Sequence, residues 1–82
     1  MKKIVVCCNL YPSKKELLHY LLTKVEGLYS ENYDALIDAL TYYKTPLQIE
    51  FKQLNSYKDK DNLEEILEII HKENPIISFI KC

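Results

Sequence analysis

The chain contains few of the residues that interrupt or cross-link a fold. Among its 82 residues it has one glycine, three prolines and no tryptophan. No internal repeat or Gly/Ser-rich linker divides it, so we expect a single domain over residues 1–82. The three cysteines are an odd number, and two of them are adjacent. This pattern favours reduced thiols over a disulfide framework and lacks the spacing of a metal site, so we expect no cofactor.

Long hydrophobic runs and a large net charge are also missing. Only five strongly apolar residues, 4–8, precede Asn9, and this run is too short for a signal peptide or a membrane span. The formal net charge is -1, so any function that depends on charge must be local. We therefore expect a cytoplasmic protein that does not bind membranes.

Residues 25–43 contain no Lys or Arg. They carry four acidic side chains interleaved with four tyrosines, namely Glu26, Glu31, Asp34 and Asp38 with Tyr29, Tyr33, Tyr42 and Tyr43. Negative charge and aromatic area in one segment suit a positively charged partner. The segment is therefore predicted to be a binding surface and not a catalytic one.

The first third of the chain predicts a strand followed by a helix. Residues 4–8 are continuously apolar, which is typical of a strand covered on both faces, although a strand at a crowded end of the core can have the same pattern. Ser13 can cap a helix, with Glu16 completing the capping box and Gly27 ending the helix. The predicted buried stripe of this helix is Leu17, Leu18, Leu21, Leu22 and Val25.

The middle of the chain predicts a second helix and a second strand. The helix should begin near residues 30–32, with Asp34, Asp38 and Thr41 away from its core stripe. That stripe is predicted to be Tyr33, Leu36, Ile37 and Leu40. Residues 47–51 alternate between apolar and polar, which predicts a strand with one face in the core.

The last third predicts a third helix and a third strand. Residues 53–60 have the composition of a loop, and Asp61 or Asn62 is expected to cap the helix, which Asn74 and Pro75 end. The inward-facing positions are predicted to be Leu63, Ile66, Leu67 and Ile70. With a strand at 76–80, the order is β-α-α-β-α-β, which right-handed crossovers turn into an α/β fold with a three-stranded parallel sheet.

Asp38 disagrees with its local environment. Asp34, in the first turn, gains from the helix dipole, but Asp38 lies beyond that turn and has a like charge four residues behind it. No Lys or Arg stands three or four residues from it in either direction. Such a residue points to function, although a solvated helix face is the simpler alternative.

The sequence around these two carboxylates resembles the central helix of the barstar family of ribonuclease inhibitors. The pattern Glu-Asn-x-Asp-Ala-Leu-x-Asp occupies residues 31–38, and the resemblance is strongest over residues 28–51. It implies a two-layer α/β fold and an intracellular inhibitor, monomeric when free, that performs no chemistry. The implied partner is a secreted barnase-like ribonuclease, whose basic active-site cleft the inhibitor blocks.

The resemblance also implies roles for individual residues. In the family, the residue at the position of Asp38 enters the nuclease active site in place of a substrate phosphate. The residue at the position of Asp34 pairs with a basic residue at the rim of that site. Asn32 and Thr41 match positions that contact the nuclease or support the contact, and Tyr29 or Leu28 would cover its catalytic histidine. The full expected partner-binding set is Leu28, Tyr29, Ser30, Asn32, Tyr33, Asp34, Ile37, Asp38, Thr41, Tyr43 and Glu73.

The chain departs from the family pattern at several positions. The family has an aromatic residue at the position of Ile37 and paired tyrosines at the positions of Leu28 and Tyr29. The family also has an acidic contact residue on its third helix. The residue at that position in this chain is Lys72, and Glu73 is next to it. These departures leave open which nuclease is the target.

Three other functions compete with inhibition. An enzyme using Asp34 and Asp38 as an acid/base pair would need a concave site that separates their pKa values. Direct nucleic-acid binding would need a lysine face with stacking aromatics, whereas the tyrosines lie among acidic residues and a cluster of lysines lies in the loop of residues 52–60. The third is a barstar-fold regulatory protein that has lost ribonuclease binding, which the missing aromatic at Ile37 favours.

Overall fold

The fold is α/β, with three strands and three helices in the predicted order β-α-α-β-α-β. The computed structural model describes residues 2–26 and 32–81. The elements are β1 (Lys2–Cys7), α1 (Lys14–Glu26), α2 (Tyr33–Thr41), β2 (Leu47–Lys52), α3 (Lys60–Glu73) and β3 (Ile77–Lys81). A single 3₁₀ turn, Leu54–Ser56, follows β2. None of the described helices is long and apolar enough to cross a bilayer.

The three strands form one parallel sheet in the order β1-β2-β3. Ile4 of β1 pairs with Ile49 of β2, which pairs with Phe79 of β3. The sequence predicted a parallel sheet, and this prediction is confirmed, but it left the strand order open. Because β2 is central, both crossovers connect adjacent strands, and each crossover contains helix, as parallel pairing requires.

The helices cover one face of the sheet. Leu47, Ile49 and Phe51 of β2 are fully buried, whereas Gln48 and Glu50 between them are partly exposed. The prediction of a strand with one face in the core is therefore confirmed for β2. Glu50 lies on the open face and forms an ion pair with Lys3 of β1, with 3.1 Å between Nζ and Oε1.

The prediction that the first strand is covered on both faces is wrong. Ile4 and Val6 are buried, but Val5 between them is 37% exposed. The cause is the two-layer architecture, in which β1 is an edge strand with only one face against helices. The continuous apolar run reflects β propensity at Val5 and not burial.

The core contains the helix stripes that periodicity predicted. All five predicted positions of α1 are buried, as are Leu36 and Leu40 of α2 and Leu63, Leu67 and Ile70 of α3. The other predicted stripe positions, Tyr33, Ile37 and Ile66, are partly buried and pack against this core. Leu54 and Tyr57, after β2, are each 3% exposed and close one end of it.

Capping was predicted correctly for two helices and wrongly for the third. Ser13 Oγ accepts the backbone N–H of Glu16 at 3.4 Å, and Asn32 Oδ1 accepts that of Asp34 at 2.9 Å. However, the residue at the N-cap of α3 is Asp59, so the helix begins at Lys60. Asp59 lies two residues before Asp61, the nearer of the two predicted caps. Gly27, the predicted end of α1, lies outside the described residues.

Asp59, the residue before α3, takes part in a tertiary contact. Its Oδ2 accepts the hydroxyl of Tyr33 at 2.7 Å, and its Oδ1 accepts the side-chain amide of Asn62 at 2.8 Å. Asp59 is therefore fixed by a residue on α2 as well as by its own helix. Its side chain makes no capping hydrogen bond to the backbone of α3.

Candidate functional site

The two aspartates of α2 lie on an exposed part of the helix. Asp34 is in the first turn and Asp38 is one turn later, and both side chains are exposed. Neither carboxylate forms a hydrogen bond or an ion pair with any residue that the structure describes. They thus form a pair of solvent-facing negative charges on a helix whose opposite side, Leu36 and Leu40, is fully buried.

The N-terminus of α2 is held by a hydrogen-bonded cluster. Tyr33 donates its hydroxyl proton to Asp59, and Tyr57 approaches the same hydroxyl oxygen at 2.6 Å. Since the single proton of Tyr33 is already donated to the carboxylate, Tyr57 is the donor in this second contact. Lys14 Nζ of α1 lies 5.4 Å from the Tyr33 ring centroid, within the range of a cation–π interaction.

The cluster changes the acidity of both tyrosines. Burial, followed by the hydrogen bonds to Tyr57 and Asp59, raises the pKa of Tyr33 far above its usual value. Burial also raises the pKa of Tyr57. Both hydroxyls therefore stay protonated at any physiological pH, and Tyr33 can act as a permanent donor to Asp59.

The C-terminus of α2 is held by a second contact. Asn74, the residue after α3, donates its side-chain amide to the backbone oxygens of Leu40 and Tyr43, each at 2.9 Å. Glu73, a predicted partner-binding residue, immediately precedes Asn74 and is exposed. The chain thus brings the exposed end of α3 to the end of α2.

The remaining predicted site residues differ in how they are placed. Ile37 and Tyr43 are partly buried and pack against the core. Asn32 is exposed and caps the helix. The hydroxyl of Thr41 is buried and has no hydrogen-bond partner among the described residues, so this geometry suits support of α2 better than a direct contact. Leu28, Tyr29 and Ser30 lie outside the described residues, and their predicted roles stay predictions.

Two groups of residues at this site were absent from the predicted set. Tyr42 follows α2 directly and is 76% exposed, so it offers a large aromatic surface beside the aspartates. Its place among the acidic residues and tyrosines of residues 25–43 was the available signal. Tyr57 and Asp59, which hold Tyr33, gave no such signal because they lie 24 and 26 residues away in the chain.

Concave sites are found elsewhere on the described surface. One cavity of about 400 Å³ is lined by Leu10, Tyr11, Lys15, Glu16, His19 and Tyr20. Another, of about 250 Å³, lies between α3 and β3. Neither includes Asp34 or Asp38, so neither provides the concave site that an acid/base pair of these aspartates would need.

The surface of α1 combines aromatic and basic side chains. The rings of Tyr11 and Tyr20 stack with centroids 4.5 Å apart, and Lys24 Nζ lies 5.6 Å from the Tyr20 ring. The sequence analysis considered the lysine cluster of residues 52–60 and did not predict this arrangement. It is the part of the described surface that the nucleic-acid alternative would use.

No protein-family model matches the sequence, and no curated protein matches it. A functional assignment therefore depends on the geometry of α2 and on the resemblance carried by residues 28–51.

Proposed function

We propose that this protein is a cytoplasmic inhibitor of a barnase-like ribonuclease and that its fold is of the barstar type. The observation that carries the proposal is the carboxylate of Asp38, which is exposed and unpaired among the described residues on a helix without a basic residue. A nuclease that cleaves RNA must bind phosphate in a cationic cleft. A carboxylate presented in this way can occupy that cleft as a phosphate mimic.

The proposed mechanism is steric and electrostatic. Inside the cleft, Asp38 accepts charge-assisted hydrogen bonds from the cationic groups that otherwise hold the substrate phosphate. Asp34, one turn nearer the N-terminus, pairs with a basic residue at the rim. No bond is made or broken, and inhibition follows because RNA cannot enter the occupied cleft.

The anchoring of α2 supports this mechanism. Leu36 and Leu40 fix the helix in the core. Asp59 contacts its first residue, Tyr33, and Asn74 contacts its last turn. A helix that is already ordered loses little conformational freedom when its partner binds, so more of the interaction energy appears as affinity. The size of the molecule agrees, because its accessible surface of 4876 Å² can supply the roughly 800 Å² that a standard interface takes from each partner.

The distribution of charge along the chain also supports a cationic partner. Residues 1–26 contain five lysines and two acidic residues, whereas residues 27–82 contain six lysines and ten acidic residues. Residues 1–26 are thus basic overall and residues 27–82 are acidic overall, and their charges add up to the net charge of -1. An acidic face attracts a basic cleft and speeds the encounter even when the total charge is small.

The proposal is tested by a ribonuclease assay with a panel of barnase-like enzymes at two salt concentrations. The wild-type chain should inhibit at least one of them, and Asp38→Ala should weaken inhibition by about 2 to 5 kcal/mol, or roughly 30- to 5,000-fold. Circular dichroism should be unchanged, and the free energy of unfolding should not fall, because the Asp38 carboxylate makes no described contact and its removal relieves the repulsion from Asp34. The matched control is Glu65→Ala, which removes an exposed carboxylate from α3.

Two results would contradict the proposal. Equal inhibition by the wild-type chain and Asp38→Ala would show that Asp38 does not enter the cleft. Inhibition of no enzyme in the panel would favour the second candidate, a regulatory protein of the same fold that has lost ribonuclease binding. The partly buried Ile37, at a position where the family has an aromatic residue, is the observation that favours this candidate.

A further inference from the structure

The short helix α2 depends on tertiary contacts for its order. It has nine residues, and isolated helices of fewer than about 12 residues are marginal in water. Its last turn contains no basic residue that could stabilise the free carbonyl groups. Neither Tyr42 at the C-cap nor Tyr43 after it has the positive φ of the left-handed conformation that often ends a helix. The backbone N–H of Tyr43 reaches the oxygen of Leu40 only at 3.3 Å, so donors from elsewhere would strengthen the last turn of α2.

Asn74 supplies these donors. Its Nδ2 lies 2.9 Å from the backbone oxygen of Leu40 and 2.9 Å from that of Tyr43. A side-chain amide carries two N–H groups, so both are used on this one segment. The oxygen of Leu40 is one of the last carbonyls of α2. It also accepts the backbone N–H of Tyr43, at the longer distance of 3.3 Å.

The backbone of Asn74 is itself fixed by two other elements. Its N–H donates to Ile70 of α3 at 2.8 Å, and its carbonyl accepts the N–H of Ile77 of β3 at 3.0 Å. Asn74 therefore sits at a rigid junction between α3 and β3. Through its side chain, this junction is connected to the end of α2, which is 31 to 34 residues earlier in the chain.

The turn that Asn74 holds is the turn that carries Asp38. The backbone oxygen of Asp38 accepts the N–H of Tyr42 at 3.3 Å, so the last turn of α2 runs from Asp38 to Tyr42. If the carbonyl of Leu40 lost the amide of Asn74 and kept only the N–H of Tyr43, this turn would be the first to fray. The position of the Asp38 carboxylate would then become less defined.

We propose that Asn74 is a positioning residue that holds the last turn of α2 in the orientation in which Asp38 meets its partner. This inference rests on the proposed inhibition of a ribonuclease, and it assigns to Asn74 a role without any contact to the nuclease. Asn74 acts by keeping α2 ordered before binding. The partner then forms its hydrogen bonds to a carboxylate that is already in place.

The test uses two variants of the full chain and one control. Asn74→Ala removes the donors, and Asn74→Asp replaces them by a carboxylate of the same shape that faces the same carbonyl oxygens. The backbone at Asn74 has φ -139 and ψ 84, a conformation open to alanine, so both variants should fold. The control is Asn55→Ala, because Asn55 is exposed and only accepts a hydrogen bond from Lys60.

The first measurement is hydrogen exchange in the free protein. Both Asn74 variants should speed exchange of the Tyr42 and Tyr43 amides by roughly tenfold, as expected for the loss of about one net hydrogen bond. Exchange in α1 and in the sheet should not change, and the control should behave as the wild type. Unchanged exchange at Tyr42 and Tyr43 would overturn the inference.

The second measurement separates positioning from simple stability. Asn74→Ala should raise the dissociation rate of the complex with the inhibited nuclease by roughly tenfold and leave the association rate within about twofold, because the charges are the same. When Asp38 is already replaced by alanine, Asn74→Ala should change the logarithm of the dissociation rate by less than about half as much, since Asn74 acts through Asp38. Full additivity would overturn the positioning role and leave the proposed inhibition intact.

The two proposals fail in different ways. A wild-type chain that inhibits no nuclease would overturn the proposed function and, with it, the role of Asn74 in binding. Faster exchange with unchanged dissociation would overturn only the positioning role.

Discussion

Asp38 and Tyr33 illustrate two opposite uses of a polar side chain on the same helix. Asp38 has a like charge one turn away and an exposed carboxylate without a described partner, so nothing in the structure compensates its local repulsion. Tyr33 directs its hydroxyl inward to Asp59 and Tyr57. The first residue is available to a partner, whereas the second holds the helix that presents it.

The cluster around Tyr33 predicts a stability change that depends on pH. Because the pKa of Tyr33 is raised in the folded state, the folded chain holds the hydroxyl proton more tightly than the unfolded chain does. This contribution is fully present below pH about 10, the usual pKa of tyrosine, and is lost as the pH rises above it. The substitution Tyr33→Phe removes the titrating group and the hydrogen bond to Asp59.

We therefore expect Tyr33→Phe to lower the free energy of unfolding by about 1 to 3 kcal/mol at neutral pH. The difference from the wild type should shrink above pH about 10, because the contribution of the Tyr33 hydroxyl is then lost from the wild type, whereas the variant has no such contribution to lose. Urea unfolding at neutral and alkaline pH measures both values. Tyr42→Phe, at an exposed position, is the control and should change stability by less than about 0.5 kcal/mol. A difference that is constant with pH would contradict the expectation.

At the scale of elements, α2 is a short helix fixed by burial on one side and by contacts at both ends. Its two fully buried residues are Leu36 and Leu40, and they are its only leucines. The helices before and after it also pack against it. Removing one leucine should therefore loosen the whole element, whereas removing an exposed carboxylate should not.

We expect Leu36→Ala to lower the free energy of unfolding by about 2 to 5 kcal/mol, the range for truncation of a buried leucine. Ile37→Ala should cost less, because Ile37 is only partly buried. Chemical denaturation of the two variants gives the comparison. An equal loss for both would mean that Ile37 is as well packed as Leu36, which would contradict the burial of the two residues.

At the scale of the whole molecule, charge is distributed unevenly. Residues 27–82 carry an excess of four acidic residues, and residues 1–26 an excess of three lysines. A nuclease with a basic cleft would therefore be attracted to the exposed carboxylates of residues 27–82 and repelled by the lysines of residues 1–26. This arrangement orients the encounter, although the net charge is too small for strong attraction at long range.

This asymmetry predicts how salt affects inhibition. The association rate with an inhibited nuclease should fall as salt is raised, because exposed charges are screened beyond about 8 Å at physiological ionic strength. The dissociation rate should change much less, since the contacts of Asp38 are desolvated in the complex. Stopped-flow measurements at several salt concentrations determine both rates. A salt effect confined to dissociation would argue against steering.

The sequence by itself determined the order of the elements and the buried side of each helix. Periodicity is a local property, so Leu17, Leu36 and Leu63 could be assigned to the core without knowledge of their neighbours. The exposed aspartates of α2 followed from the same pattern. The exposure of one face of β1 could not be predicted from periodicity, because a continuous apolar run has no period that distinguishes a strand with one covered face from a strand with two.

Only the tertiary structure decided the strand order and the anchoring of α2. Asp59 accepts the hydroxyl of Tyr33, which lies 26 residues earlier, and Asn74 holds the end of α2 across 31 to 34 residues. No local pattern specifies such contacts, since each depends on how the helices pack on the sheet. The physical reason is that a hydrogen bond joins whatever atoms the fold brings within about 3 Å, regardless of their separation in the chain.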